Sequence, residues 1–202
     1  MITNNSFKFN SPTTVILQNN CSLELGNHLQ KLGVNKALLV TDSILTKLGV
    51  ADNIMNKAKE AGIAFEVYNE VKPEPPLENV QAALTIYKET GCNGVVGLGG
   101  GSPIDVAKAV AMLAANPGSF EDYVGIDKVP NKCAPLILIP TTSGTGSEVS
   151  IFSIIIVNDS KLGVVDANIT ANIALVDPLL TVSVPRSVTA ATGLDAFCHH
   201  LE

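Results

Sequence analysis

The sequence predicts a doubly wound α/β domain whose sheet is mostly parallel. Three successive units repeat one order, which is a short apolar run, a turn and an amphipathic helix. The apolar runs lack a polar face, as is typical of parallel strands that helices cover on both sides. Because crossovers between parallel strands are right-handed, we expect the helices on both faces of one sheet.

The first two units account for the elements up to the middle of the chain. Residues 37–41 (ALLVT) form a predicted buried strand, and residues 44–61 form the helix after it, with a break near Gly49. Residues 64–68 (AFEVY) form the second strand, which ends at the proline-rich loop VKPEPP. Apolar side chains recur at helical spacing over residues 77–90, which predicts the second helix.

The third unit pairs a strand at residues 94–98 (GVVGL) with a helix at residues 105–115 (DVAKAVAMLAA). A fourth apolar run, at residues 135–139 (PLILI), predicts another buried strand. Three more apolar segments are interpreted as extra strands at the margin of the same sheet, namely residues 14–18, 151–157 and 173–176.

The end of the sequence has a different character. Beyond residue 180 the strand signals stop, and Pro185 begins a run of small residues that suit a helix. Proline fits the first helical position because its missing N–H would be unpaired there. We therefore expect residues 1–180 to form the α/β domain and residues 181–202 to begin a helical domain that the chain leaves incomplete.

Composition narrows the class of protein. With 46% hydrophobic and 16% charged residues, the chain can bury a large core, yet no apolar run approaches the ~18 residues of a membrane span. The start, MITNNSFKFN, does not resemble a signal peptide, so we expect a cytoplasmic protein. A net charge of −6 without a basic stripe disfavours nucleic acid as a partner. The four cysteines form no C-x-x-C pair, and we expect them to be reduced and buried.

A glycine-rich turn follows the third predicted strand and consists of Gly99, Gly100, Gly101 and Ser102. Glycines allow close approach of a phosphate, and a helix N-terminus offers unpaired N–H groups. A simple strand-to-helix turn with Ser102 as N-cap would explain only one or two of the glycines. Phosphate binding is therefore favoured, although the pattern departs from a strict G-x-G-x-x-G fingerprint.

A second polar loop, IPTTSGTGSEV, follows the fourth strand and carries Thr141, Thr142 and Thr145. Since parallel strands end at one crevice, this loop and the glycine turn are expected to face the same ligand. Thr145 and Glu148 also stand at capping-box spacing, so the loop could instead start a helix. That alternative leaves the run of hydroxyls at residues 141–143 unexplained.

Asp42 comes directly after the first strand, at the same edge of the predicted sheet. A carboxylate at this place accepts hydrogen bonds from ribose hydroxyls and repels a 2′-phosphate. Asp42 or Ser43 is equally suited to be the N-cap of the following helix. The sequence gives the two interpretations similar weight.

Four motifs together resemble one family. GGGSPIDVAK, IPTTSGTGSEV, DPLLTVSVP and ATGLDAFCHHLE are similar, in order and spacing, to the iron-containing (group III) alcohol dehydrogenases, which include lactaldehyde reductases, 1,3-propanediol dehydrogenases and butanol dehydrogenases. The resemblance implies a Rossmann-like NAD-binding domain, an all-helical second domain and an active site between them. It assigns residues 99–102 to the pyrophosphate, the hydroxyl loop to the same cofactor and Asp42 to selection of NAD over NADP. Lys161 is similar to a lysine near the nicotinamide ribose.

The resemblance also implies a metal site. Asp195 and His199 match the first two of four family ligands, and spacing i, i+4 places both on one helical face. A carboxylate and an imidazole suit Fe²⁺ and also Zn²⁺. The other two family ligands are histidines well downstream, which this chain does not contain. His200 is expected to point elsewhere on the helix, and His28 to be structural.

The function that the resemblance implies is hydride transfer between NAD and a small primary alcohol or aldehyde, assisted by a divalent metal. No residue is identified as a dedicated general base, and the 202-residue chain alone is expected to be inactive. A homo-oligomer, dimer or larger, is expected. The alternatives are a zinc-dependent glycerol dehydrogenase, a dehydroquinate synthase, or a non-catalytic NAD-binding module.

Overall fold

The computed structural model describes residues 12–201. The first eleven residues of the predicted α/β domain and Glu202 therefore lie outside the described residues. The strands are β1 Thr14–Leu17, β2 Lys36–Val40, β3 Ala64–Tyr68, β4 Gly94–Gly99, β5 Gly125–Ile126, β6 Leu136–Pro140, β7 Phe152–Val157, β8 Ser160–Val165 and β9 Ile173–Val176.

The α-helices are α1 Leu25–Lys31, α2 Ser43–Lys47, α3 Val50–Lys59, α4 Leu77–Glu89, α5 Gly101–Ala115 and α6 Arg186–Leu201. The predicted break in the first long helix is confirmed at Gly49, which takes a φ of +73° between α2 and α3. Every helix within residues 12–201 is too short or too polar to cross a membrane.

The main sheet has six strands in the order β1-β9-β6-β4-β2-β3, and all its pairings are parallel. Its residues alternate between two hydrophobic clusters, one on each face. Leu38 and Val40 of β2 belong to one cluster, whereas Ala37 and Leu39 belong to the other. The predicted doubly wound, mostly parallel fold is thus confirmed, because helices cover both faces of an apolar sheet.

Helix α5 is the most deeply buried helix and packs against β4, β6 and α4. Its apolar sequence, DVAKAVAMLAA, suits a helix that is enclosed rather than half-exposed. It begins at Gly101, four residues before the predicted start, so the second half of the glycine turn is its first turn. The predicted N-cap, Ser102, lies within the helix, and Gly100 is the N-cap.

Two strand assignments are wrong in position. Residues 151–157 were expected at the margin of the main sheet, but β7 lies in a separate three-stranded sheet of order β5-β8-β7. Asn158 and Asp159 both take positive φ, at 48° and 59°, and form the tight turn that pairs β7 with β8. Strand β9, also expected at the margin, lies between β1 and β6, where β1 covers its outer edge.

Two further expectations concern cysteines and His28. Cys21, Cys92 and Cys133 are buried free thiols, but Cys198 is exposed because α6 buries none of its residues. His28 is buried on α1, as a structural histidine would be, and burial lowers its pKa.

Candidate functional site

A cleft of about 390 Å³ lies at the carboxyl ends of β2, β4 and β6. The glycine turn after β4 and the polar loop after β6 meet there, which confirms the expectation that both face one crevice. The residues singled out from the sequence that line this cleft are Asp42, Gly100, Gly101, Ser102, Thr141 and Thr142.

The glycine turn brings two loops into close contact. Gly99 ends β4 with a φ of +149°, and a Cβ there would come within 2.6 Å of Pro103 Cγ. A Cβ on Gly100 would lie 3.3 Å from Thr142 Oγ1, and one on Gly101 would lie 3.3 Å from Thr145 Cγ2. The glycines therefore let the hydroxyl loop pack closely against the N-terminus of α5. A helix N-terminus favours an anion.

The hydroxyl loop does not start a helix. Residues 141–151 follow an irregular path of bends and turns into β7, so the capping-box alternative for Thr145 and Glu148 is wrong. The backbone N–H of Thr141 donates to the carbonyl of Gly99 at 2.9 Å, which extends the β6–β4 pairing to the rim of the cleft. Thr145 Oγ1 accepts from the N–H of Ser147 at 3.3 Å.

Asp42 is the N-cap that one of its two interpretations predicted, and it lies at the cleft, where the other interpretation places it. It is the N-cap of α2, and its Oδ1 accepts hydrogen bonds from the backbone N–H groups of Ile44 at 2.8 Å and Leu45 at 3.0 Å. The half-buried Asp42 also lines the cleft. Capping uses one carboxylate oxygen, Oδ1, and the same residue is part of the cleft wall.

A second cleft, of about 730 Å³, continues on the other side of Gly101 and Ser102, which line both. Its wall contains four more of the predicted site residues: Thr145, Lys161, Asp195 and His199. Gly99, buried at the end of β4, lines neither cleft. Lys161, on β8, is exposed, and its Nζ lies 2.6 Å from Glu74 Oε1. The hydrogen bond from Lys161 lowers the pKa of Glu74.

Asp195 and His199 lie one turn apart on α6. His199 Nε2 is 3.7 Å from Asp195 Oδ1, and the two side chains are 62% and 44% exposed, respectively. The spacing places both donors on one face of the helix, as predicted. Within residues 12–201, however, His, Cys, Asp and Glu side chains nowhere gather in a group of three or more suited to a metal ion.

Comparison with known proteins decides the family. The family model for iron-containing alcohol dehydrogenase matches residues 12–178. The chain belongs to the iron-containing alcohol dehydrogenase family.

Several curated members of this iron-containing family are similar in sequence. The choline dehydrogenase of Bacillus subtilis (strain 168) is 44% identical over 182 residues, which cover 88% of this chain and 45% of the relative. The NAD-dependent methanol dehydrogenase of Bacillus methanolicus is 36% identical over 195 residues, covering 95% of this chain and 51% of the relative. The chain spans about half the length of the curated relatives it matches.

Solved structures of family members share the fold. The crystal structure of a 1,3-propanediol oxidoreductase matches with a TM-score of 0.94 and 34% identity, covering 98% of this chain and 52% of that one. The sulfoacetaldehyde reductase from Bifidobacterium kashiwanohense, crystallised in complex with NAD⁺, matches with a TM-score of 0.88 and 32% identity. That match covers 95% of this chain and 51% of the other.

In this family member the sequence reasoning missed a buried polar network beneath the second cleft. Asp105 and Lys108 lie on α5, and Ser147 joins them. Burial lowers the pKa of Lys108 to about 8 and raises that of Asp105. The available signal was the presence of two charged residues in the otherwise apolar sequence DVAKAVAMLAA, since a charge on an enclosed helix must be paired.

Proposed function

We propose that this chain binds NAD in the two joined clefts. We further propose that the complete enzyme transfers a hydride between the nicotinamide and a small primary alcohol or aldehyde, assisted by Fe²⁺ or, with the same donors, Zn²⁺. The observation that carries the proposal is the meeting of the glycine turn and the hydroxyl loop at the N-terminus of α5.

The first cleft suits the adenosine and pyrophosphate part of the dinucleotide. Glycines at residues 99–101 keep side chains away from the helix N-terminus, where the dipole and free N–H groups stabilise a diphosphate. Thr142 also lines this cleft, and its Oγ1 would lie 3.3 Å from a Cβ on Gly100. Asp42 stands at the carboxyl end of β2, where its carboxylate suits the hydroxyl groups of a ribose.

The second cleft suits the nicotinamide end and the substrate. Lys161 offers a positive charge on its wall, and Asp195 and His199 face the same space. Phe152 and Ile154 add apolar surface next to these polar groups. The cleft thus combines charge, metal donors and an apolar wall, as a site for a small alcohol requires.

The donor types fit a divalent metal. A neutral imidazole and an ionised carboxylate are suitable ligands of Fe²⁺ and Zn²⁺. When bound, such an ion acts as a Lewis acid toward the substrate oxygen. Asp195 and His199 would hold it, while the residues of the glycine turn hold and orient the nucleotide beside it.

The relatives support a substrate with a hydroxyl or carbonyl group, although one relative is named a long-chain-alcohol dehydrogenase. Their names refer to choline, methanol and sulfoacetaldehyde, and one of them names NAD as the cofactor. We extend the chemistry these names share, a small alcohol or aldehyde, to this chain. A cytoplasmic location and a homo-oligomer of two or more copies remain predictions.

For the 202-residue chain taken by itself, a second function is favoured, namely nucleotide binding without turnover. Two metal donors within residues 12–201 are fewer than the three or more that hold a catalytic ion tightly. Helix α6, which carries them, buries none of its residues.

Calorimetric titration with NAD tests the proposal. Gly101→Ala places a methyl group against Thr145 and at the phosphate approach, so we expect about tenfold weaker NAD binding or worse. Gly193→Ala is the matched control, because Gly193 is also helical and its added Cβ would meet nothing within 4 Å. Equal NAD affinity in the two variants, or no binding by the unaltered chain, would refute nucleotide binding at this turn.

A further inference from the structure

A fully buried lysine lies beneath the second cleft. Lys108 exposes none of its surface, although its ammonium group is charged. Its Nζ donates to the carbonyls of Phe152 at 2.8 Å and Ser150 at 2.9 Å, and to the hydroxyls of Ser150 at 3.1 Å and Ser147 at 3.4 Å. All four oxygens belong to residues 147–152, so one side chain of α5 forms hydrogen bonds along that segment.

Asp105, one turn earlier on α5, holds the same segment from a second point. Ser147 Oγ donates to Asp105 Oδ1 at 2.6 Å, and the N–H of Ile154 donates to Oδ2 at 3.2 Å. Ser153 Oγ donates to the Asp105 carbonyl at 2.9 Å. The segment that follows the hydroxyl loop is thus attached to the helix whose N-terminus faces the nucleotide cleft.

The attachment reaches the cleft through Thr145. Ser147 donates its N–H to Thr145 Oγ1, and the Thr145 methyl lies 3.3 Å from the position of a Cβ on Gly101. We propose that Lys108 is a positioning residue for the nucleotide site, whose ammonium group fixes residues 147–152 against α5 and thereby sets the position of Thr145 over Gly101. This inference rests on the proposed binding of NAD.

The positive charge of Lys108 strengthens its hydrogen bonds to residues 147–152. An ammonium group has three N–H donors and forms charge-assisted hydrogen bonds, whereas a neutral amine has two and carries no charge. Burial lowers the pKa of Lys108 to about 8, opposed by Asp105 on the same helix, Glu148 in the segment and Cys133 before β6. Alkaline pH therefore weakens the attachment within an accessible range.

The test compares Lys108→Met with a matched lysine variant. Lys132 also donates to a carbonyl and a hydroxyl, those of Thr170 at 2.7 Å and 2.8 Å, but lines neither cleft. Circular dichroism first establishes that both variants fold. Calorimetry at pH 7 should then show NAD binding weakened about ten- to a hundredfold by Lys108→Met and unchanged by Lys132→Met.

A pH series on the unaltered chain supplies a readout that lost packing alone would not produce. NAD affinity should fall between pH 7 and pH 9 in the unaltered chain and stay flat in Lys108→Met. If Lys108→Met does not fold, Ser150→Ala, which removes one of the four acceptors, replaces it in the same series, and its NAD affinity at pH 7 should be weakened.

The outcomes separate the two levels of the proposal. Equal NAD affinity in the unaltered chain and Lys108→Met, or an affinity of the unaltered chain that does not change with pH, would overturn the positioning role alone. An unaltered chain that binds no NAD at pH 7 would overturn the proposed function and this inference with it.

Discussion

Asp42 performs a structural and a proposed functional task with the same carboxylate. Its Oδ1 caps α2 through the N–H groups of Ile44 and Leu45, while the residue lines the nucleotide cleft. An asparagine keeps the capping oxygen and removes the charge. The two tasks are therefore separable by substitution.

Asp42→Asn is expected to leave the fold intact and to narrow the preference for NAD over NADP by about tenfold, because the 2′-phosphate is no longer repelled. Asp42→Gly should have the same effect on the ratio. Titration of both nucleotides measures it, with Asp52→Asn, an exposed acidic residue in the first turn of α3, as control. A preference of the unaltered protein for NADP would show that Asp42 is wrongly placed.

Lys108 should also make the free energy of unfolding depend on pH. Its pKa is about 8 in the folded chain and near 10.5 when unfolded, so between these values the unfolded state binds more protons. Stability attributable to Lys108 therefore rises with pH over that window, by about 3 kcal/mol in total, as the cost of burying the charge disappears. Deprotonation removes the cost of burying a charge and at the same time weakens the hydrogen bonds from Lys108 to residues 147–152. The two effects are therefore compatible.

Urea denaturation of the unaltered chain and of Lys108→Met at pH 7.5 and pH 10 measures this effect. The difference in unfolding free energy should shift in favour of the unaltered chain at the higher pH. Groups that do not face Lys108 titrate equally in both proteins, so their contributions cancel. A constant difference across the range would mean that the pKa of Lys108 is not lowered.

At the level of elements, helix α6 is expected to be much less protected than helix α5. It buries none of its residues, and Leu194 and Phe197 remain 63% and 59% exposed. A helix without a packed face is only marginally stable, and Gly193 near its middle lowers its propensity further. Amide hydrogen exchange followed by mass spectrometry should show α6 exchanging much faster than α5. Comparable protection of the two helices would contradict this expectation.

The strands of the main sheet were predictable because each is a short apolar run with a turn after it. The predicted β2, β3, β4 and β6 agree with the structure to within one residue at either end. Ser102 and Pro103 indicate a helix start close to the observed one, whereas the place of Gly101 within the first turn of α5 was not predictable, because glycine is typical of loops. The helix begins there because Gly101 and Pro103 fit between β4 and Thr145.

The sheet to which each strand belongs was harder to predict from the sequence. Residues 151–157 are as apolar as a core strand, yet β7 pairs with β8 through the turn at Asn158 and Asp159. Two consecutive residues of positive φ favour a local hairpin, but their conformation is not visible in a list of apolar residues. Strand β8, SKLGVV, was not predicted at all because its polar start masks the pattern.

Part of the candidate site could be predicted from the sequence and part could not. The glycine turn, the hydroxyl loop and Asp42 could be placed at one crevice, because the ends of parallel strands coincide. The buried contacts of Lys108 could not, since its partners are backbone carbonyls of Ser150 and Phe152 that no motif specifies.

At the level of the whole molecule, the 202-residue chain should hold no metal tightly and oxidise no alcohol. Asp195 and His199 supply two donors, so water would complete the coordination and the ion would exchange rapidly. Metal analysis after dialysis and an NAD-linked alcohol assay check this, beside a chain extended to the length of its relatives. One tightly bound equivalent of iron or zinc on the 202-residue chain would contradict it.

The strand order has a consequence for how the protein is made. Among the strands of residues 12–201, β1 pairs only with β9, and Asp177 accepts a hydrogen bond from Ser22 Oγ at 2.6 Å across a separation of 155 residues. During synthesis β1 emerges first but has no strand to pair with until residues 173–176 follow. Until then one side of β6 also lies open, and such unpaired edges invite wrong pairing. Both edges thus stay unpaired in the nascent protein until residues 173–176 have been made.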